Sequence, residues 1–237
     1  MPRFSFAVPV LPGKDPRAVS RILEGRMPEF EESRRRIGVT MERAWAQTTP
    51  MGTFVVAYLE SEQGFAETMQ GLATSDLAID REFMAGLQDV HGFDPSAMAG
   101  APVPEVIAEW WDDAVTERRA GLGFCAPLIP GRTDAARAFG REAFVERVGE
   151  FGESRRALGE NGELVFLNST PQGDIVCVYL EGRDPAEANR RHSASTSAYD
   201  TWFRQQLTTI FPPQIDFSQP VPGLSTIWDW HRETARA

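Results

Sequence analysis

The sequence predicts an α+β protein built by tandem duplication, with repeats over residues 1–115 and 116–237. Three observations carry this. "TPMGTFVVAYLE" (Thr49 to Glu60) returns as "TPQGDIVCVYLE" (Thr170 to Glu181), with seven of twelve positions identical. The match continues in the same order through "FAVPVLPGK"/"FCAPLIPGR", "ESRRRIG"/"ESRRALG", "DREF"/"DTWF" and "PVPEVIAEW"/"PVPGLSTIW". Each copy also reads as the same series of elements, β-α-β-β-α and a tail. A period near 120 residues is too long for a solenoid and suits one small domain, so two copies read as a fused dimer.

Each element has a local reason. An apolar strand opens each repeat and ends at a Pro-Gly pair, Pro12-Gly13 or Pro130-Gly131. A polar, amphipathic helix follows and stops near Gly38 or Gly159, since glycine readily takes the left-handed conformation that ends a helix. Two strands then flank Thr49-Pro50-Met51-Gly52 or Thr170-Pro171-Gln172-Gly173, with Pro second and Gly fourth as in a type I turn. A second helix is expected around 75–90 and 195–210. A Pro-rich tail carrying Trp110, Trp111, Trp228 and Trp230 closes each repeat with a short strand or helix.

This order is the ferredoxin-like plan. Helices cover one face of each sheet, and the other face needs a cover. The chain therefore resembles the dimeric α/β-barrel superfamily, which includes antibiotic-biosynthesis monooxygenase-like proteins. The resemblance rests on element order and duplication over nearly the whole chain, and brings no catalytic motif. It implies two ferredoxin-like repeats packing sheet to sheet as an intramolecular α/β barrel, with a cavity between them.

Side chains alternate faces along a strand. Val55, Ala57 and Leu59, with Val176, Val178 and Leu180, are aliphatic and suit packing under helices. The opposite face carries Tyr58 and Glu60 in one repeat and Tyr179 and Glu181 in the other. From the preceding strand, Arg43, Trp45 and Gln47 match Leu164, Phe166 and Asn168. The expected cavity lining is Tyr58, Tyr179, Trp45, Phe166, Gln47, Asn168 and Arg43, with Glu60 and Glu181 near the rims. The plainer reading has the tyrosines filling space with bonded hydroxyls and the two glutamates ending their strands in solvent. The repeated Glu-Ser-Arg-Arg, with Glu42 or Glu163, reads as an ion pair tying helix to sheet.

Composition excludes several classes. A net charge of −10 and a pI of about 4.9 leave no basic face for nucleic acid. Cys125 and Cys177 lie in apolar runs, as buried free thiols do, and lack metal-ligand spacing. His91, His192 and His231 sit at non-equivalent positions without helical i, i+4 spacing, so no metal is expected. His192 precedes "SASTS", a helix-start signal; it could serve as a lone base, and a surface or capping role is the plainer expectation. No apolar run approaches a membrane span, and no segment reads as a signal peptide. A cytoplasmic protein is expected, as a monomeric pseudo-dimer or a homodimer of it.

Two functions fit. One is a small-molecule-binding protein without chemistry. The other is a cofactor-independent monooxygenase- or isomerase-like enzyme acting on a small apolar or aromatic substrate. A third reading, protein interaction, would require exposed Trp111 and Trp230.

Overall fold

The computed structural model describes residues 1–232, without the side chains of Pro95, Ser96 and Ala99; the end of the second repeat, 233–237, lies outside the described residues. The order is β1 (Arg3–Pro9), α1 (Ala18–Leu23), α2 (Met27–Arg36), β2 (Val39–Thr49), β3 (Gly52–Ser61), α3 (Phe65–Ala73), α4 (Ala78–His91) and β4 (Glu105–Trp111). The second run is β5 (Ala120–Pro127), α5 (Thr133–Arg141), α6 (Val148–Leu158), β6 (Glu160–Thr170), β7 (Gly173–Gly182), α7 (Pro185–Ala194), α8 (Ala198–Leu207) and β8 (Leu224–His231). A π-helical turn, Glu142–Glu146, joins α5 to α6.

The protein is α+β with two four-stranded antiparallel sheets, ordered β1-β3-β2-β8 and β4-β6-β7-β5. Among the described residues no strand pairing closes either sheet into a barrel. The central hairpins turn at the expected residues: Thr49 pairs with Gly52 and Thr170 with Gly173, and each threonine hydroxyl donates to the glycine carbonyl. Gly52 and Gly173 take φ of 125° and 124°, which a side chain would resist.

The tails form strands, but not beside their own repeat. β4, carried by the first repeat, pairs with β6 of the second, and β8 pairs with β2 of the first. The compact units are therefore Met1–Val103 with the segment from Gly223, and Pro104–Pro222. The sequence repeat and the folded unit are different sets of residues, because closing strands cross over.

Four helices exceed the expectation. α1 and α5 follow the Pro-Gly pairs, and α3 and α7 precede the expected second helices, which run as α4 and α8. In the first unit, Phe4, Phe30, Ile37, Leu59, Met69 and Trp230 bury together. The Phe30 ring meets Trp228 and Trp230 edge-on at 5.0 and 5.2 Å, and Phe151 of the second unit meets Trp110 at 5.6 Å. The tail tryptophans are thus tied to the helix beside their sheet. Trp230 is buried and Trp111 half-buried, its indole N–H donating to Glu109 at 2.8 Å, so of the two tryptophans only Trp111 is left partly open to a partner. No helix is long and apolar enough to cross a membrane.

Candidate active site

A buried ion-pair cluster recurs in both units. In the second, Arg155 from α6 donates to Glu163 on β6 at 2.5 Å and stands 3.8 Å from Asp200 on α8. In the first, Arg34 from α2 donates to Glu42 on β2 at 2.6 Å and stands 3.5 Å from Asp80 on α4. The expected arginine-to-strand pair forms, and an aspartate from the following helix joins it. Each guanidinium also lies over two phenylalanine rings, Phe30 and Phe83 or Phe151 and Phe203, 4.4–4.9 Å from their centres. Ser154, Ser195 and Ser197 donate to Asp200 at 2.6, 2.5 and 2.8 Å and hold its carboxyl below the usual range against the opposing effect of burial. "SASTS" supplies two of these hydroxyls, and Ser197 caps α8 as expected.

Beside each cluster, between sheet and helices of the same unit, lies a mostly apolar pocket. The second unit's measures about 140 Å³, with Phe124, Val165, Val176 and Val178 from the sheet facing Phe139, Phe144, Phe203 and Leu207. The first unit's measures about 120 Å³, with Phe6, Val55, Ala57 and Leu59 facing Met69, Phe83, Met84 and Leu87. The aliphatic strand faces expected only to pack under helices therefore line the pockets.

Two of the polar groups that line the second unit's pocket, Glu160 and His192, are buried and lack a polar counterpart in the first. Glu160 is 4% exposed, and its Oε2 has no hydrogen bond, with Arg155 Nε 3.4 Å away. Burial, then repulsion from Glu163 and Asp200, outweighs the attraction of Arg155 and pushes its carboxyl up to about 8. One guanidinium already balanced by two carboxylates cannot hold a third ionised. His192, at the end of α7, has its Nε2 buried without a hydrogen bond, 3.8 Å from Asp200. Burial and then the Arg155 and Arg204 charges lower it to about 3, with Asp200 opposing, so the imidazole is neutral at neutral pH. Arg204 donates to the His192 and Ser195 carbonyls at 2.5 Å each and fixes this helix end. His192 thus lines a pocket, where a surface or capping role was the plainer expectation.

A β-bulge puts Glu160 there. The β6–β7 register shifts between Glu160 and Gly162, leaving Asn161 as an extra residue. Simple alternation would send Glu160 to the face opposite Glu163; one extra residue turns both the same way. Strict period-two reading of β6 therefore misses it. The same shift between Val39 and Met41 puts Val39 at the equivalent place in the first unit's pocket.

The nine residues singled out from sequence are placed as follows. Tyr58, Tyr179, Trp45, Phe166, Gln47 and Arg43 are buried, and Asn168 is half-buried. Tyr58 donates to Glu60 and Tyr179 to Glu181, each at 2.8 Å. Glu60 and Glu181 are each 1% exposed, which corrects the expectation of solvent-facing strand ends: a tyrosine two residues upstream on the same face supplies each carboxylate with a donor. Arg43 donates to Asp229 at 2.8 Å, and it is the one of the nine that lines either pocket described here.

No family model matches the sequence, and no curated protein does. Two solved structures share the fold. One is a candidate monooxygenase from Fusobacterium nucleatum, with 10% identity over 97% of this chain and 94% of that one and a TM-score of 0.53. The other is an anthrone oxidase-like protein, with 11% identity over the whole of both chains and a TM-score of 0.53.

Proposed function

We propose that the chain is a cofactor-independent monooxygenase-like enzyme that removes a proton from a small, apolar, ring-bearing substrate in the second unit's pocket. The observation that carries this is Glu160, a buried carboxyl without a hydrogen bond on Oε2, lining a mostly apolar pocket beside Arg155, its pKa raised to about 8. Such a group exchanges protons at physiological pH, where an exposed glutamate is already fully ionised. Phe124, Phe139 and Phe203 grip the rings, and the neutral His192 offers a hydrogen-bonding partner to a substrate hydroxyl or carbonyl. Arg155 keeps positive charge beside a developing anion while remaining anchored to Glu163.

The two solved structures extend the reading to oxygen chemistry. The substrate class is a ring system with an acidic CH₂. Glu160 takes one proton, the carbanion passes its electrons to dioxygen, and a C–O bond forms. Loss of water from the hydroperoxide, with the second C–H proton, leaves the ketone. CH₂ plus O₂ becomes C=O plus H₂O, so no outside reductant enters. The finer fold reading, two ferredoxin-like repeats forming a barrel, belongs to this proposal and is supported by element order and the same two structures.

The test is oxygen uptake by the full chain with anthrone, corrected for spontaneous oxidation, beside Glu160→Gln. Acceleration in the wild type that falls about 100-fold or more in the variant supports the proposal. Anthrone binding with no acceleration in either protein returns the chain to ligand binding without chemistry. Equal acceleration in both removes Glu160 from the reaction.

A further inference from the structure

We propose that the first unit's pocket is a second ligand site, one that holds a small neutral ring compound bearing a hydroxyl group without converting it.

The two pockets can be compared position by position. Leu11 N–H donates to the Val90 carbonyl at 2.9 Å, and Ile129 N–H donates to the Ile210 carbonyl at 3.0 Å. Leu11 and Ile129 are equivalent in the repeat, so Val90 matches Ile210. The next residues, His91 and Phe211, then match, and each lines its own unit's pocket. On the other side of the comparison, Val39 stands where the second unit has Glu160. Leu72 stands where it has His192, counting back from the matched Asp80 and Asp200. The first pocket thus lacks both groups assigned to proton transfer, and it has in His91 a titratable ring where the second has Phe211.

The chemistry of that group is fixed by its partner. His91 Nδ1 lies 2.9 Å from the Pro9 carbonyl oxygen, which can only accept. Nδ1 therefore carries the hydrogen, and Nε2 is left with a lone pair. Burial lowers the pKa of His91 below its ordinary 6.5, and the ring stays neutral. A neutral acceptor in an apolar pocket favours a ligand that brings a donor. The charges nearby are engaged: Arg34 is held by Glu42 and Asp80, and Arg43 donates to Asp229. An anionic ligand has no claim on them, which makes a neutral alcohol or phenol the fitting class. Met69 and Met84 adapt their shape to what enters.

The experiment is calorimetric titration of the full chain with 2-naphthol and with 2-methoxynaphthalene, which has no hydroxyl hydrogen. Wild type is expected to show a site preferring 2-naphthol by roughly five- to tenfold, the range one hydrogen bond supplies. His91→Phe installs the residue the other unit carries and is expected to abolish that preference. Leu87→Trp fills the pocket while leaving His91 in place, and is expected to remove the site altogether. Glu160→Gln and His192→Leu are expected to leave it intact. Unchanged preference in His91→Phe, or unchanged stoichiometry in Leu87→Trp, overturns the proposal. This inference stands apart from turnover: a chain inactive on anthrone that still binds 2-naphthol through His91 refutes the enzyme reading alone.

Discussion

Glu160→Gln should raise stability by an amount that grows with pH. The carboxyl of Glu160 sits at about 8 in the folded chain, against 4.5 for an ordinary glutamate. Below pH 4.5 both folded and unfolded chains hold the proton, and the residue costs nothing by this route. Between 4.5 and about 8 the unfolded chain releases it while the folded pocket keeps it. The wild type then loses about 1.4 kcal/mol per pH unit relative to a neutral isostere. Above pH 8 the loss levels off at about 5 kcal/mol. Glutamine matches the shape and removes the titration, so subtracting paired urea unfolding curves cancels the ionisable groups outside the Arg155 cluster and leaves Glu160 with the partners it is coupled to. The measurement is that difference from pH 4.5 to 9. A rise of several kcal/mol supports a desolvated acid in the pocket. A difference flat to within about 0.5 kcal/mol means Glu160 titrates as a solvated glutamate, and proton transfer near neutrality loses its basis.

Other consequences are as specific. His192→Leu acts on the acid side, because a histidine lowered to about 3 withholds a proton that the unfolded chain accepts from 6.5 downward. The wild type should lose stability across that window, and the variant should show a flatter acid limb in the same unfolding series. Arg155→Met and Arg34→Met should each cost about 3–5 kcal/mol in denaturant, since removing one partner strands buried carboxylates. Gly162→Ala should cost about 1–3 kcal/mol, because its Cβ would fall 2.3 Å from the Trp111 ring, a rigid neighbour. Gly149→Ala, on α6 with open space around it, should instead add about 0.4–1 kcal/mol. Thermal melts of the glycine pair check both signs.

Much of this was legible in the sequence, with identifiable gaps. The duplication, the hairpins and the arginine-to-strand ion pair follow from residues that interact close together or repeat in order. The partner of each closing strand does not. β4 and β8 carry the same local pattern whether they close their own sheet or the other, so only pairing geometry separates the two outcomes. The candidate pocket escaped for a different reason. Strict alternation hides Glu160 behind the bulge at Asn161, and it marks Val55, Ala57 and Leu59 as plain packing. His192 escaped because its meaning depends on Asp200 and Arg155, which reach it from other helices. A signal was present in the comparison of repeats: Glu160 against Val39 and His192 against Leu72 exchange aliphatic residues for titratable ones.

That exchange also bears on why a duplicated chain would keep both units. The features common to the two halves are the costly ones: a buried arginine, two carboxylates and two serines that donate to the aspartate, Ser33 and Ser75 in the first unit and Ser154 and Ser195 in the second. Removing the arginine strands buried carboxylates, and removing a serine takes a donor from a buried aspartate. The pocket walls carry no such constraint. Val39 and Leu72 fit apolar surroundings without a partner, whereas Glu160 gives up its charge near neutrality and His192 stays neutral. Glu160 lowers stability above pH 4.5 and His192 below 6.5, and both fall in one unit while the other keeps the aliphatic pair. His91 against Phe211 runs the opposite way, placing the polar residue in the first unit. The two units therefore share the arginine cluster and differ at pocket positions beside it, so one scaffold carries two pockets with different polar groups.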